Sequence, residues 1–187
     1  MLNKFFDKYI FTNTLKYLHN NFYLVNIPFL VMPIDLLISL CAKKNISHHK
    51  ELYSLFKESV QKNFMPRFDG MGVGEQKELD FLKTFFTASG FGLIEMIDFD
   101  ETAKRAIIIV DNSPFANELK GKVDFHADTI LRGIFAGVFS DIFKQDVDCV
   151  EAECFALNDK SCKFVIKPKN EFDLEKNIVR EQLIFDD

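Results

Sequence analysis

The chain has 187 residues, 48% of them hydrophobic and 27% charged, with a formal net charge of −5. These proportions suit a globular domain and exclude long disorder and collagen-like repeats. An acidic chain with no Lys/Arg block also lacks the clustered basic footprint of a nucleic-acid binder. Aromatic usage is lopsided, with 22 Phe against 4 Tyr and no Trp. Phe supplies large dry surface without the polar handle of Tyr or Trp.

In chain order, Met1–Asn20 is expected to be a helix. Phe5/Tyr9, Phe6/Ile10 and Phe11/Leu15 pair at i,i+4, and apolar residues on more than one face suit a dimer interface. Lys4, Lys8 and Lys16 set it apart from the apolar core of a secretory signal. Phe22–Met32 is a short extended segment broken by Pro28. The stretch Phe22–Cys41 also holds Asn26, Pro33 and Asp35, so no membrane span is expected. Pro33 suits the first position of a second helix, and the spacing of Ile34, Leu37, Ile38 and Cys41 places Cys41 in the core. Ser47 can cap a third helix with Leu52, Leu55, Phe56, Val60 and Phe64 on one face, and Met65–Asp69 is expected to break it. The glycines 70, 72 and 74 lack a preceding strand and the Lys-Ser/Thr of a nucleotide loop, and read as a flexible connection. A fourth helix follows from Glu75 to about Ser89, with Gly90 as its stop.

The period then changes to two. Leu93–Phe99 and Arg105–Asp111 form a predicted hairpin, and Asn112-Ser113-Pro114 is expected to open a loop. A helix is predicted over Asp128–Ile142. Strands at Val147–Phe155 and Cys162–Lys167 flank Asn158-Asp159-Lys160, and a polar helix is expected over Glu171–Arg180. Helices first, then hairpin, helix and hairpin, describe an α+β arrangement with an antiparallel sheet. The expected organisation is one domain over 1–187: a mainly helical part at 1–90, a hairpin–helix–hairpin part at 91–168 and a polar tail at 169–187.

The sharpest chemical signal is Glu151-Ala152-Glu153-Cys154 followed by Cys162. In a hairpin centred on Asn158, Cys154 and Cys162 face each other, and opposed Cβ atoms lie about 4.5–5.5 Å apart. A shared zinc, two reduced thiols or a cross-strand disulfide all fit that spacing. Glu151 precedes Cys154 by three residues, so a bulge or strand end is needed to bring both side chains to one side. Cys149 reads as a small core residue. Gly133 and Gly137 imply close backbone approach, through tight helix-on-sheet packing or to a ligand. His126, between Asp124 and Asp128, suits either a metal or a surface loop. His48 and His49 read as solvated, as do the paired Asp146 and Asp148. No Ser/His/Asp or Cys/His spacing indicates a nucleophile, which makes an enzyme the less favoured class.

The string Arg132-Gly133-x-x-x-Gly137, the Glu-x-Glu-Cys of 151–154, the seven residues between Cys154 and Cys162, and the Phe-x-Ile-Lys-Pro of 164–168 closely resemble the vinyl-4-reductase domain family of hydrocarbon-binding proteins. The resemblance is strongest over Asp111–Pro168 and looser at Asn26–Pro33 and Ser89–Gly92. It implies an α+β fold, an antiparallel sheet packed against several helices, related to the TRAPP-subunit and nitric-oxide-sensor ligand-binding fold. It also implies a cytoplasmic homodimer that binds a small apolar molecule, hydrocarbon or aromatic, as sensor or carrier beside a structural zinc, with output through a partner chain. Aromatic-sensing members hold zinc with a cysteine at the start of the glycine helix, a glutamate and two cysteines. Glu151, Cys154 and Cys162 match three of these positions; Asp128 stands at the cysteine, able to ligate through oxygen, with His126 as its alternative. The family's pocket lies between the sheet and the glycine helix, where Phe91, Ile107, Ile109, Phe135 and Phe139 are the apolar candidates. Two other roles within the resemblance are an accessory or reductase-like protein of tetrapyrrole metabolism and a trafficking-subunit-like interaction protein. No flavin or nicotinamide motif accompanies the first.

Overall fold

The computed structural model describes residues 15–24, 27–69 and 75–184. Residues 1–14 and the glycine run at 70–74, read above as helix and connection, lie outside them. The chain divides into two compact units, Met1–Leu36 and Leu37–Asp187.

In the first unit, Leu15–Asn20 is a strand and turn rather than the end of a helix. Strands β1 (Leu15–Leu18), β2 (Asn21–Leu24) and β3 (Ile27–Phe29) form an antiparallel sheet in that order. Leu18 pairs with Asn21, so His19 and Asn20 make a two-residue hairpin loop, with φ of 49° and 64°. Positive φ at both centres matches the twist of the flanking strands, and Asn tolerates that conformation. Tyr17 and Phe22 pair across the hairpin with ring centroids 4.9 Å apart. That contact competes with the helical i,i+4 pattern. Pro28 lies in the edge strand β3, where its missing N–H does least harm.

Helix α1 (Asp35–Ala42) crosses the unit boundary and buries Cys41, as its spacing predicts. Helix α2 (Ile46–Ser59) is capped by Asn45 instead of Ser47; the Asn45 side chain accepts from the His48 N–H at 2.9 Å. The expected break at Met65 is absent. A π-helical turn, Val60–Phe64, leads directly into α3 (Met65–Asp69), with the Met65 N–H donating to Val60 O. Pro66 has no N–H to give, and its ring crowds the carbonyl four residues earlier. The wider π turn accommodates both defects. It also shifts the helical phase: Val60 and Met65 are buried, whereas Leu55 is 61% exposed. Helix α4 (Glu75–Ala88) buries Leu82, Phe85 and Phe86 and stops at Gly90, whose φ is +90°.

The main sheet is antiparallel in the order β4-β5-β7-β6, with β4 at Leu93–Asp100, β5 at Arg105–Asp111, β6 at Asp148–Glu153 and β7 at Cys162–Lys167. Ile108 lies opposite both Met96 and Phe164. Opposed residues share a face, so Ala106, Ile108, Val110, Phe164 and Ile166 form the buried side. Helix α6 (Thr129–Ile142) packs there, with the Phe135 ring 5.1 Å from that of Phe164. Between the strands and α6, Ser113 caps helix α5 (Pro114–Leu119) where the sequence predicts a loop. Ser as N-cap with Pro at the first helical position is itself a helix-start signature.

Helix α6 is buried from Thr129 through Ser140 because it has neighbours on two sides. Its glycines face α2, not the sheet. A Cβ on Gly133 would sit 2.7 Å from Tyr53 O, and one on Gly137 would sit 2.7 Å from Lys57 O. On the opposite sheet face, Val150, Phe172, Val179 and Leu183 form a small cluster under helix α7 (Asn177–Leu183). The expected polar helix over Glu171–Arg180 thus begins later and is amphipathic. Among the described residues no helix is long and apolar enough to cross a membrane.

Candidate metal centre

Strand β6 carries Glu151, and the pairing with β7 slips by one residue between Glu151 and Glu153. Ala152 is the extra residue of a bulge, which reverses side-chain parity and turns residue 154 to the side of residue 151. The chain then folds through a 3₁₀ turn, Phe155–Leu157, closed by Asn158 at φ 74°. Cys154 is fixed on both backbone atoms: its N–H donates to Asp159 Oδ2 at 2.7 Å, and its carbonyl accepts from the Leu157 N–H at 2.9 Å. Cys162 opens β7, and its sulfur accepts from the Phe155 N–H at 3.4 Å. One carboxylate oxygen of Glu151 and the sulfurs of Cys154 and Cys162 consequently lie within 4.8 Å of one another, all buried. Both cysteines are free thiols.

Asp128 joins from the N-cap of α6. Its backbone N–H donates to Glu151 Oε2 at 3.1 Å, and its Oδ1 accepts from the Ser113 hydroxyl at 2.7 Å. It makes no side-chain cap bond to its own helix. Asp128 Oδ2 and Glu151 Oε1 are buried and have no hydrogen-bond partner. Buried acceptors of this kind are costly unless something supplies positive charge.

The electrostatics agree. Burial pushes the Asp128 carboxyl up to about 7, against the pull of the Ser113 hydrogen bond. Burial, then the Asp128 charge, holds Glu151 well above the usual carboxylate range. The Cys162 thiol, by hydrogen bonding, lowers Cys154 to about 6, with the Ala127 and Ala156 amides assisting and burial opposing. Cys162, as donor in that pair and buried, is pushed up. Four acidic groups in one dry site cannot all ionise on their own. A divalent cation that accepts both sulfur and oxygen would let them.

The remaining candidates sit elsewhere. His126 is half-buried, its imidazole pKa lowered chiefly by burial, and it is not part of the Glu151–Cys154–Cys162 group. Cys149 and Cys41 are completely buried, and burial raises both thiols, Cys41 to about 12. His48 and His49 are not simply solvated: His48 Nε2 contacts Leu40 O at 2.8 Å, and His49 bridges Thr129 Oγ1 (2.7 Å) and Lys43 O (2.8 Å). Asp148 is also buried, accepting from the Tyr53 hydroxyl at 2.8 Å and Lys57 Nζ at 3.0 Å, while Asp146 remains exposed.

Residues with no sequence signal complete the surroundings. The outward edge of β6 is closed by side chains from three helices. Tyr53 accepts from the Cys149 N–H (3.1 Å), Arg132 Nε donates to Cys149 O (3.1 Å), and Gln182 pairs with both backbone groups of Glu151 (2.8 and 2.9 Å). Only Ser113, in its Ser-Pro helix start, carries a signal that sequence reasoning could have found.

The five apolar candidates are not brought together. Phe135 and Phe139 face the sheet from α6; Phe139 contacts the rings of Phe99 at 6.4 Å and Phe143 at 5.5 Å. Phe91 belongs to a second aromatic group, 5.8 Å from Phe86 and 6.4 Å from Phe115. Ile107 and Ile109 alternate with the buried Ile108 and therefore point to the opposite sheet face, away from α6.

Residues 107–168 match the family model of the vinyl-4-reductase domain. The phenol-responsive sensory domain of the transcription activator PoxR, solved with phenol, is similar in structure at 12% identity, with a TM-score of 0.72 and 96% of each chain covered. That likeness shows a shared fold. A trafficking protein particle complex subunit 3 from Naegleria fowleri, covalently bound to palmitic acid, has a TM-score of 0.49 at 11% identity, with 71% of this chain and 87% of that one covered. A vinyl-4-reductase family protein from Methanocaldococcus jannaschii has a TM-score of 0.47 at 18% identity, with 74% and 96% covered. A search of curated proteins finds no match.

Proposed function

Taking as premise that residues 107–168 are a vinyl-4-reductase domain, we propose that this protein binds a small apolar or aromatic molecule and carries a structural Zn²⁺ on Glu151, Cys154, Cys162 and Asp128. The observation that carries the metal reading is the pair of buried, partnerless oxygens, Asp128 Oδ2 and Glu151 Oε1, beside two free buried thiols. Two sulfurs and two carboxylate oxygens satisfy a tetrahedral Zn²⁺. Asp128 is preferred to His126 because its amide already holds Glu151 and its free oxygen lies buried. Zn²⁺ would neutralise this site and cross-link the start of α6 to the β6–β7 turn. Four protein ligands leave no open position, which favours a binding role over catalysis.

The ligand class follows from the fold shared with the PoxR domain, which was solved with phenol. Phe135 and Phe139, on the inner face, and Phe91 are retained as the pocket wall. Ile107 and Ile109 are dropped because they face the other way. A cytoplasmic homodimer belongs to the same reading.

Elemental analysis of freshly purified protein should find about one Zn²⁺ per chain, with Cys154 and Cys162 resisting alkylation until a chelator is added. Calorimetric titration with phenol should show binding that Phe139→Ala weakens and Phe56→Ala does not. Metal-free protein with both thiols freely alkylated would refute the zinc site. Phenol heats identical in all three proteins would refute the pocket.

A further inference from the structure

Gln182 is 4% exposed on a helix whose other buried residues, Val179 and Leu183, pack with Val150 and Phe172. A buried amide in an apolar cluster is unfavourable unless every polar atom is used. Here the side chain does what a neighbouring strand would do. Its Nε2 donates to Glu151 O at 2.9 Å, and its Oε1 accepts from the Glu151 N–H at 2.8 Å. Glu151 needs such a partner because it lies on the outward edge of β6, at the bulge where the β7 pairing slips. The Gln182 carbonyl in turn accepts from Arg132 Nη2 at 2.6 Å, and Arg132 Nε holds Cys149 O. The peptide bearing the Glu151 carboxylate is thus clamped from α7.

We propose that Gln182 is a positioning residue for the metal ligand Glu151, so that metal occupancy and docking of the C-terminal helix α7 are coupled. The proposal rests on the Zn²⁺ reading above. Without the clamp the residue 151 peptide is free to rotate about the bulge, and the carboxylate then swings away from the two sulfurs. Groups that orient a ligand from behind typically change metal affinity by about 10–100-fold. Coupling is reciprocal: whatever factor Gln182 contributes to Zn²⁺ affinity, Zn²⁺ contributes to holding α7 in place.

The test compares wild type, Gln182→Met and Phe143→Leu, all as full chains. Gln182→Met keeps length and apolar contact while removing both hydrogen bonds. Phe143→Leu loosens a completely different part of the core and serves as the destabilised control. Zn²⁺ affinity is read by competition with a chromophoric chelator, ligand geometry by the Co²⁺ absorption spectrum, and α7 docking by amide exchange over residues 177–183. The expected result is at least about 10-fold weaker Zn²⁺ binding and an altered Co²⁺ spectrum in Gln182→Met only. Zn²⁺ should also slow exchange of α7 in wild type. Wild-type affinity and spectrum in Gln182→Met would overturn the positioning role while leaving the metal site intact. Equal loss in Phe143→Leu would assign the effect to general loosening and overturn it too. Exchange in α7 indifferent to Zn²⁺ would overturn the coupling. No Zn²⁺ uptake by wild type would overturn the metal reading and this inference together.

Discussion

Asp128 concentrates the conflict in this molecule: a carboxylate in a fully buried position, with one oxygen on Ser113 and the other on nothing. Burial lifts its pKa from the ordinary 3.8 to about 7. Without metal, the folded state therefore holds a proton between those values that the unfolded chain has lost, so this group favours folding as pH falls through that window and opposes it above. Asp128→Asn removes the charge at nearly constant shape. In EDTA the variant should be more stable than wild type at pH 7.5, by on the order of 2 kcal/mol, and the gap should close by pH 5. Thermal melts at the two pH values measure this, and a gap that widens toward pH 5 would contradict it. With Zn²⁺ the order should invert, because the variant lacks the anionic ligand. The ligand residues are legible in the sequence because Cys and Glu are rare in interiors and sit at a short, fixed spacing. Gln182, Arg132 and Tyr53 are not, because an amide, a guanidinium and a phenol at helical positions give no sign that their partners are the edge of a strand many residues away.

At the scale of elements, local rules succeed where one neighbour decides the structure and fail where two compete. The β4–β5 hairpin, β7 and the α4 stop at Gly90 follow from alternation and a single glycine. The β6 bulge and the π turn before Pro66 are one-residue insertions in otherwise regular elements; period counting sees only the regular part. The glycines of α6 do mark a close approach, but to α2 rather than the sheet, since spacing does not say which of the two lies beneath. That contact sets a sign. Gly→Ala in an open helix is worth about 1 kcal/mol of stabilisation. At Gly133 and Gly137 the new Cβ meets backbone carbonyls of α2 at 2.7 Å, and these cannot swing aside like a side chain. Gly133→Ala and Gly137→Ala should each lose about 1–3 kcal/mol net, seen as a lower denaturation midpoint with unchanged slope. Stabilisation by either substitution would show that α2 is free to retreat.

At the scale of the whole molecule, the phenylalanine excess resolves into two aromatic groups in the second unit. One joins Phe64, Phe85, Phe86, Phe91 and Phe115; the other joins Phe99, Phe139 and Phe143. Their rings ask nothing of the few polar groups nearby, which leaves the buried hydrogen bonds to be gathered around β6. Every group assigned to the metal centre also lies in the unit Leu37–Asp187: Asp128, Glu151, Cys154 and Cys162, with Ser113, Arg132, Tyr53 and Gln182 behind them. The β1–β3 sheet contributes none of them. A chain that begins at Pro33, keeping α1 and its buried Cys41 whole, still contains the entire four-stranded sheet and the α2–α6 crossing. Its length of 155 residues, counted from 33 through 187, is ample for a self-sufficient core. This shortened chain should fold cooperatively and bind Zn²⁺ within about threefold of the full chain, since binding free energy is set by the ligands and the groups that orient them. Circular dichroism melts with and without EDTA, alongside chelator competition, measure both properties. Cooperative folding with Zn²⁺ affinity lost would mean that the first unit acts on the site through contacts beyond the ligand set; retained affinity places the whole metal chemistry in the second unit.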